Sequence, residues 1–137
     1  MSCAIELLDG ALAQAEGNTY EALVTLPEEG GPQGGGNDEP LAYACFGATP
    51  MTEGTFDLYW LVVAAEARGR GLGRGLLTQV EEGLRTRGAR LIRIETSSLE
   101  GQGGAARFYA QAGYAQVGRI VDFYRPGDDL ITFAKVL

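Results

Sequence analysis

The chain has 137 residues, of which 45% are hydrophobic and 21% charged, so a single globular domain spanning residues 1–137 is expected. Its net charge of −7 disfavours nucleic acid and anionic membranes as partners, because a negatively charged surface repels phosphate groups. The sequence has no histidine and only two cysteines, which excludes a Ser-His-Asp triad and the common zinc sites, so we expect no metal.

The first third of the chain is predicted to contain a helix, a strand and a loop. Residues 3–16 are predicted to form a helix, because Ile5, Leu8 and Leu12 recur at helical spacing and Gly17 follows as a stop. A strand over 21–26 then leads into a loop over 27–40 that is rich in glycine and proline.

The rest of the chain is predicted to alternate between strands and helices. In chain order we expect strands over 41–48 and 55–63, a helix over 76–87, a strand over 90–96, a helix over 105–112, an extended segment over 114–124 and a strand over 130–137. The first two of these strands should pair as an antiparallel hairpin. This order predicts an α/β sandwich built on a mixed sheet.

The cysteine usage and the N-terminus predict a cytoplasmic protein. Cys3 and Cys45 are too few for a disulfide framework, and Cys45 lies in an apolar run where a small buried residue would fit. No run approaches the ~18–20 apolar residues of a membrane span. Acidic residues appear early without a preceding basic stretch, which argues against a signal peptide.

An arginine- and glycine-rich segment joins the strand over 55–63 to the next helix. Residues 68–75 read Arg-Gly-Arg-Gly-Leu-Gly-Arg-Gly. Glycines allow close approach to the backbone, and the first N–H groups of a helix lack intrahelical acceptors and carry partial positive charge. The segment therefore predicts a site for a phosphate-bearing ligand. It contains no Gly-Lys-Ser/Thr triplet. It does not match Gly-x-Gly-x-x-Gly either, because Arg74 and Leu76 stand where the third glycine would be in the two possible frames.

Two motifs resemble those of the GNAT superfamily of N-acetyltransferases. Arg68-x-x-Gly71-x-Gly73 is similar to the Arg/Gln-x-x-Gly-x-Gly/Ala signature that follows the fourth strand of that family. Residues 108–114 are similar to its Phe-Tyr-x-x-x-Gly-Phe/Tyr segment. The resemblance covers residues 20–137 and implies a mixed, mostly antiparallel sheet flanked by helices, in a single layered α/β/α domain.

Further segments resemble a bacterial GNAT subgroup, namely residues 43–47, 52–60, 94–98 and 122–129. Two features depart from the family pattern. The asparagine that many members carry before the tyrosine helix is absent, and Gln102 is its nearest substitute. The N-terminus is short by the family pattern, in which this chain is expected to begin near the second helix. The acceptor site would then be open or completed by another subunit, and a truncated start site is the alternative.

The resemblance implies that acetyl-CoA is the acetyl donor. Backbone amides of the segment that matches the signature would hold its pyrophosphate, and the preceding strand would pair through its main chain with the pantetheine arm. The implied cofactor-binding residues are Leu61, Val62, Val63, Arg68, Gly69, Arg70, Gly71, Leu72, Gly73 and Arg74. The alternative is that the glycines serve turn geometry and that at least one arginine is only solvated.

Three residues are candidates for the chemistry. Tyr109 matches the family tyrosine that protonates the leaving thiolate, which a phenol can do because its pKa of ~10 exceeds that of a thiol, ~8.5. Alternatively, Tyr109 only packs against the sheet. Asp57 matches the base position of histone acetyltransferases in the superfamily, although it could instead bond a neighbouring strand or a tyrosine. Glu95 on the next strand is the rival base, and a water relay is a third route.

The sequence thus predicts an N-acetyltransferase in which a primary amine directly attacks acetyl-CoA, without a metal. A strand N–H near Val62 would polarise the thioester carbonyl. The acceptor would be a small-molecule or peptide amine. Two alternatives are a non-catalytic module that senses acyl-CoA and a nucleotide binder outside this family. Because C-terminal strands of this superfamily often pair across dimers, we also expect a homodimer.

Overall fold

The structure is a computed structural model that describes residues 4–15, 18–26, 41–99 and 104–137. These residues form β1 (Ala4–Ala15), β2 (Asn18–Leu26), β3 (Ala42–Ala48), β4 (Thr55–Val63), a 3₁₀ turn (Ala65–Ala67), α1 (Leu72–Thr86), β5 (Leu91–Ser97), α2 (Gly104–Gln111), β6 (Ala115–Arg125) and β7 (Asp128–Val136). The loop predicted over 27–40 and the substitute residue Gln102 lie outside the described ranges.

All seven of these strands belong to one sheet, in the order β1-β2-β3-β4-β5-β7-β6. Within it β4 and β5 are parallel, and the other neighbouring pairs are antiparallel. Helix α1 provides the crossover connection that the parallel pair requires. The prediction of an α/β fold with a mixed, mostly antiparallel sheet flanked by helices is confirmed, as is the hairpin of β3 and β4.

The helix predicted over residues 3–16 is wrong. Ala4–Ala15 is a strand that pairs antiparallel with β2, from Ala4 opposite Leu26 to Ala15 opposite Asn18, with a register shift between Asp9 and Gln14. Alanine-rich sequence favours a helix locally, but pairing with a neighbouring strand overrides that preference. Glycine marks hairpin turns as well as helix ends, so the stop signal at Gly17 did not discriminate between the two.

The helix after β4 begins four residues earlier than predicted, at Leu72 instead of residue 76. Gly73 and Gly75 have low helix propensity, yet both lie in its first turn. The other element boundaries, including the start of β2 at Asn18, agree with the sequence predictions to within about three residues. Neither of the two described helices has the length and apolar run that crossing a bilayer requires.

One hydrophobic core joins both helices to one face of the sheet. Helix α1 presents its buried face through Leu76, Leu77, Val80 and Leu84. The sheet contributes alternate residues, namely Phe46, Phe56, Leu58, Ile92, Ile94, Ile131 and Phe133. Because side chains alternate between the two faces of a strand, Asp57, Arg93 and Glu95 lie on the opposite face. The core therefore orients the polar residues of β4 and β5 away from the helices.

Candidate functional site

Strands β4 and β5 pair over only part of their length. Their parallel register runs from Thr55 to Leu58 of β4 and then stops. Residues 60–63 continue to pair with β3 on the other side. A β-bulge marks the point of separation, with Tyr59 as the extra residue, and bulges bend the strand that carries them. The second half of β4 thus borders a gap where a neighbouring strand would otherwise lie.

The segment between β4 and α1 turns through two glycines with left-handed backbone. Gly69 has a φ of 81° and Gly71, the N-cap of α1, a φ of 74°. Other residues adopt this conformation at a cost of roughly 1–2 kcal/mol. The Gly75 N–H bonds the Gly71 carbonyl at 3.0 Å, so the N–H groups of residues 72–74 precede the helical ladder. With no acidic residue in the first turn of α1, this helix start attracts anions.

A third glycine, Gly73, lets α1 approach both β4 and α2 closely. A Cβ atom on Gly73 would lie 3.3 Å from Cγ2 of Val63 and 3.6 Å from the ring of Phe108. The first of these distances is shorter than nine in ten Cβ contacts in proteins, so Val63 or α1 would have to shift by a few tenths of an ångström. The two positions therefore favour glycine for different reasons. Gly71 allows the left-handed turn, whereas Gly73 allows close packing at the end of the gap.

Three exposed arginines surround the start of α1, and each donates a hydrogen bond to a backbone carbonyl. The bonds are Arg68 Nε to Val63 at 3.4 Å, Arg70 Nη2 to Glu66 at 3.3 Å and Arg74 Nη1 to Gln111 at 3.2 Å. A guanidinium has five N–H donors, so these single bonds hold Arg68 and Arg74 without exhausting their donors. In the described part of the chain, neither Arg68 nor Arg74 forms an ion pair.

Tyr109 lies on the helix side of the sheet. Tyr109 is only 6% exposed. The centroid of its ring is 5.2 Å from that of Phe108, 5.8 Å from that of Tyr114 and 6.0 Å from that of Phe133. The ring of Tyr109 is therefore packed in the core, as the alternative prediction from the sequence stated. The catalytic role of the hydroxyl stays a prediction.

Asp57 is held by two side chains on the opposite face. Its Oδ1 accepts a hydrogen bond from Arg93 Nε at 2.7 Å, and its Oδ2 accepts one from Thr49 Oγ1 at 2.8 Å. The side chain of Asp57 is mostly buried, whereas that of Arg93 is 43% exposed. The hydrogen bond from Arg93 to Asp57 raises the pKa of the Arg93 guanidinium, so this side chain stays charged.

The Asp57–Arg93 pair lines a pocket on this face. The pocket has a volume of about 220 Å³ and is lined by Asp57, Leu58, Tyr59, Trp60, Arg93 and Glu95. Glu95 is exposed and, within the described ranges, accepts no hydrogen bond. Burial, and secondarily the negative charge of Asp57, raise the pKa of Tyr59, which keeps this phenol neutral. The wall of the pocket is therefore aromatic, and its charged groups lie on two adjacent strands.

The structure brings some of the predicted site residues together and separates others. Asp57 and Glu95 line the same pocket, whereas Tyr109 lies on the helix side of the sheet. Arg93 was missed by the sequence analysis. A charged residue between Ile92 and Ile94 on a buried strand, two positions before Glu95, was the signal that could have identified it.

The comparisons with known proteins agree with each other. Residues 7–114 match the acetyltransferase (GNAT) family. A structure of a GNAT-family protein from Desulfovibrio desulfuricans is 37% identical, with a TM-score of 0.75 over 85% of this chain and 68% of that chain. No curated protein matches the chain.

Two further solved structures share the fold at lower identity. An acetyltransferase from Bacillus cereus is 22% identical, with a TM-score of 0.67 over 97% of this chain and 74% of that chain. An aminoglycoside 6′-N-acetyltransferase in complex with coenzyme A is 20% identical, with a TM-score of 0.67 over 85% of this chain and 72% of that chain.

Proposed function

The chain belongs to the GNAT family of acetyltransferases, and we propose that it transfers an acetyl group from acetyl-CoA to a primary amine by direct attack. The observation that carries this proposal is the separation of β4 from β5 beside the start of α1. Residues 59–63 offer main-chain groups along a gap, and the gap ends at an electropositive helix start. An extended, phosphate-bearing donor with a central amide arm fits these two features together.

The donor site would use the residues predicted from the sequence. The main chain of Leu61, Val62 and Val63 would pair with the pantetheine arm, and one N–H of this stretch would donate to the thioester carbonyl oxygen. The N–H groups at the start of α1 would bind the pyrophosphate, with Arg68 and Arg74 adding charge. Several proteins of this fold were solved with coenzyme A or acetyl coenzyme A, which supports the assignment.

Tyr109 would act as the general acid. Acetyl-CoA supplies the thioester, whose C–S bond breaks as the amine nitrogen bonds to the carbonyl carbon. The Tyr109 phenol would donate its proton to the departing thiolate, because an ordinary phenol, with a pKa of ~10, stays protonated at neutral pH. Tyr109 lies on the same side of the sheet as α1, whose start we assign to the donor.

Glu95 would accept the amine proton, directly or through water, and Asp57 would position Arg93. Both carboxylate oxygens of Asp57 already accept hydrogen bonds, at 2.7 Å and 2.8 Å. Glu95 lines the same pocket and accepts none from the residues that the structure describes. A carboxylate that has no such partners is the better proton acceptor. The acceptor itself would be a small-molecule or peptide amine.

We further propose that two copies associate through β6. This strand is at the edge of the sheet, and nearly all of its residues are exposed. Its exposed large apolar side chains are Val117, Ile120, Val121, Phe123 and Tyr124. An exposed apolar edge strand invites pairing with a second chain. Light scattering at micromolar concentration should give about twice the monomer mass of 14.5 kDa, and a mass near 14.5 kDa would reject the dimer.

A cytoplasmic location is also part of the proposal. Cys45 is a buried free thiol, and burial raises its pKa, so it is an unreactive packing residue. A reducing compartment is compatible with such a cysteine. Localisation of a tagged full chain by cell fractionation tests this point.

Thermal unfolding with acetyl-CoA, ATP or NAD tests the proposed function. A ligand at 100 times its Kd stabilises the native state by ~2.7 kcal/mol, which raises the Tm of a domain of this size by several degrees. We expect a shift with acetyl-CoA alone, followed by thiol release when an accepted amine is added. A shift with ATP or NAD alone would reject the donor assignment. A shift with acetyl-CoA but no thiol release with any amine would indicate a sensing module.

A further inference from the structure

The guanidinium of Arg93 is fixed at one end and open at the other. Its Nε donates to Asp57 at 2.7 Å, across the register pair that joins β4 to β5. Its four remaining N–H donors make no hydrogen bond to a residue that the structure describes, and the side chain is 43% exposed within the wall of the pocket. Such a fork of N–H groups matches the geometry of a carboxylate.

Glu95 supplies an opposite charge at a short, defined distance. Glu95 is two residues beyond Arg93 on the same strand, so both side chains lie on the same face with Cα atoms about 7 Å apart. Asp57 does not compete for a ligand cation, because both of its oxygens are already bonded to Arg93 and Thr49. The pocket therefore presents one available cation and one available anion side by side.

The size and the walls of the pocket limit what can bind there. Its volume of about 220 Å³ lies below the ~300–1,000 Å³ of sites that enclose drug-sized ligands. Tyr59 and Trp60 give it an aromatic wall next to the charged groups. A simple monoamine would match Glu95 and leave the donors of Arg93 unmatched, and a polyamine would place a second cation against Arg93.

We propose that the acetyl acceptor is a small zwitterion, a free α-amino acid with an apolar side chain, whose carboxylate binds Arg93 and whose amine faces Glu95. This inference rests on the proposed acetyl transfer and names the acceptor class of the same site. The amine nitrogen bonds to the acetyl carbon and the thioester C–S bond breaks. Of the two protons that the ammonium group loses, one leaves to solvent through Glu95. Tyr109 donates its proton to the departing thiolate, and the other ammonium proton restores the Tyr109 phenol through water.

Matched acceptor pairs test the proposal. Leucine and phenylalanine are each compared with their amides, which keep the amine and lack the carboxylate, and thiol release from acetyl-CoA gives kcat/KM. We expect the acids to exceed the amides at least tenfold. The comparison is stringent, because amides carry less basic amines, a larger fraction of which is neutral at pH 7. Equal or faster acetylation of the amides would overturn the inference.

Variants of Arg93 test whether this residue causes the preference for acids over amides. Arg93→Met should reduce the ratio of acid to amide kcat/KM to about one. Arg85→Met is the matched control, because Arg85 is 42% exposed and also pairs with a carboxylate, at 2.6 Å, but lies on the surface of α1. The control should keep the full ratio. If Arg93→Met does not fold, Arg93→Lys keeps the charge but not the fork, and the ratio should fall severalfold. An unchanged ratio in either Arg93 variant would overturn the inference.

A binding measurement separates this inference from the proposed function. The protein is saturated with coenzyme A and titrated calorimetrically with leucine or leucinamide, and leucine should bind at least tenfold more tightly. Equal binding of the two, in a protein whose Tm rises with acetyl-CoA, would overturn the inference and leave the proposed function standing. No Tm shift with acetyl-CoA would overturn the proposed function itself.

Discussion

Arg93 donates a 2.7 Å hydrogen bond to Asp57 directly across the register of β4 and β5, one residue before the two strands separate. The ion pair therefore joins the strands at the base of the gap that we assign to acetyl-CoA. Beyond it, each strand pairs with its other neighbour, β4 with β3 and β5 with β7. The pair has two consequences that can be measured separately, one for stability and one for the binding of the acceptor.

Asp57→Asn should weaken the fold and the acceptor site together. The variant keeps the shape of the side chain but removes its charge, so the bonds from Arg93 and Thr49 weaken. Because Arg93 is partly exposed, we expect a loss of about 1–2 kcal/mol in the free energy of unfolding, measured by urea titration. The acceptor KM should rise more than kcat falls, because Arg93 loses its orientation. A collapse of kcat at unchanged KM would make Asp57 the base instead.

Glu95→Gln should leave the stability nearly unchanged and lower kcat. Glu95 is exposed, so its substitution should change the free energy of unfolding by no more than about 0.5 kcal/mol. If it accepts the amine proton, kcat should fall by about 10²–10⁴-fold. Steady-state kinetics of both variants with the same amine distinguish the two carboxylates. Full kcat in Glu95→Gln would leave Asp57 or a water relay as the route for the amine proton.

Tyr109→Phe tests the general acid. The substitution keeps the ring that packs against Phe108 and Phe133, so the donor should bind with unchanged affinity while kcat falls about 10²–10⁴-fold. Tyr114→Phe is the matched control, a second buried tyrosine whose hydroxyl donates to Glu81 at 2.8 Å. That control should lose about 1.5–3 kcal/mol of stability and keep its kcat. Equal kcat values in the two variants would reject Tyr109 as the general acid.

Gly73→Ala and Gly75→Ala separate close packing from helix propensity. The new methyl group at residue 73 would lie 3.3 Å from Val63. A methyl group at residue 75 would have no packing neighbour within 4 Å. We therefore expect Gly75→Ala to stabilise the helix by about 0.5–1 kcal/mol. Gly73→Ala should instead push α1 away from β4 and weaken acetyl-CoA binding. Thermal unfolding with and without acetyl-CoA measures both effects, and equal behaviour of the two variants would contradict this assignment.

The turn geometry of the segment that we assign to the donor was predictable because its features are local in sequence. The conformations of Gly69 and Gly71, the start of a helix and the arginines between them depend on residues within one short segment. The strands from β3 onward also carry clear apolar patterns, and these patterns fixed their positions. The start of α1 was misplaced because its first turn contains two glycines, which have low helix propensity. The close approach of Gly73 to Val63 is a contact between two elements that this local sequence does not reveal.

The features that the sequence did not reveal are those that depend on distant partners. β1 is a strand because β2 lies beside it, although its alanines and its apolar spacing fit a helix. The separation of β4 from β5 follows from a bulge defined by pairing with β3. Arg93 gained its role from Asp57, 36 residues earlier in the chain, and no local pattern encodes that contact.

Low pH should remove a stabilising contribution from the β6–β7 hairpin. Asp129 accepts hydrogen bonds from the Asp122 N–H at 2.8 Å and from Arg119 Nε at 2.7 Å, and these two contacts lower the pKa of its carboxyl below the ordinary value of 3.8. A group with a lowered native pKa stabilises the fold fully above its ordinary pKa. The contribution is lost as the pH falls through the lower native value.

Asp129→Asn should therefore lower the Tm at pH 6 and lose its effect in acid. The difference in Tm between the original chain and the variant should shrink steadily as the pH falls below about 3.8, because the protonated aspartic acid resembles the amide. Glu82→Gln is the control, since Glu82 forms an exposed ion pair with Arg85 that contributes at most about 1 kcal/mol. A difference in Tm that stays constant from pH 6 to pH 2.5 would show that the ionised carboxylate of Asp129 does not stabilise the hairpin.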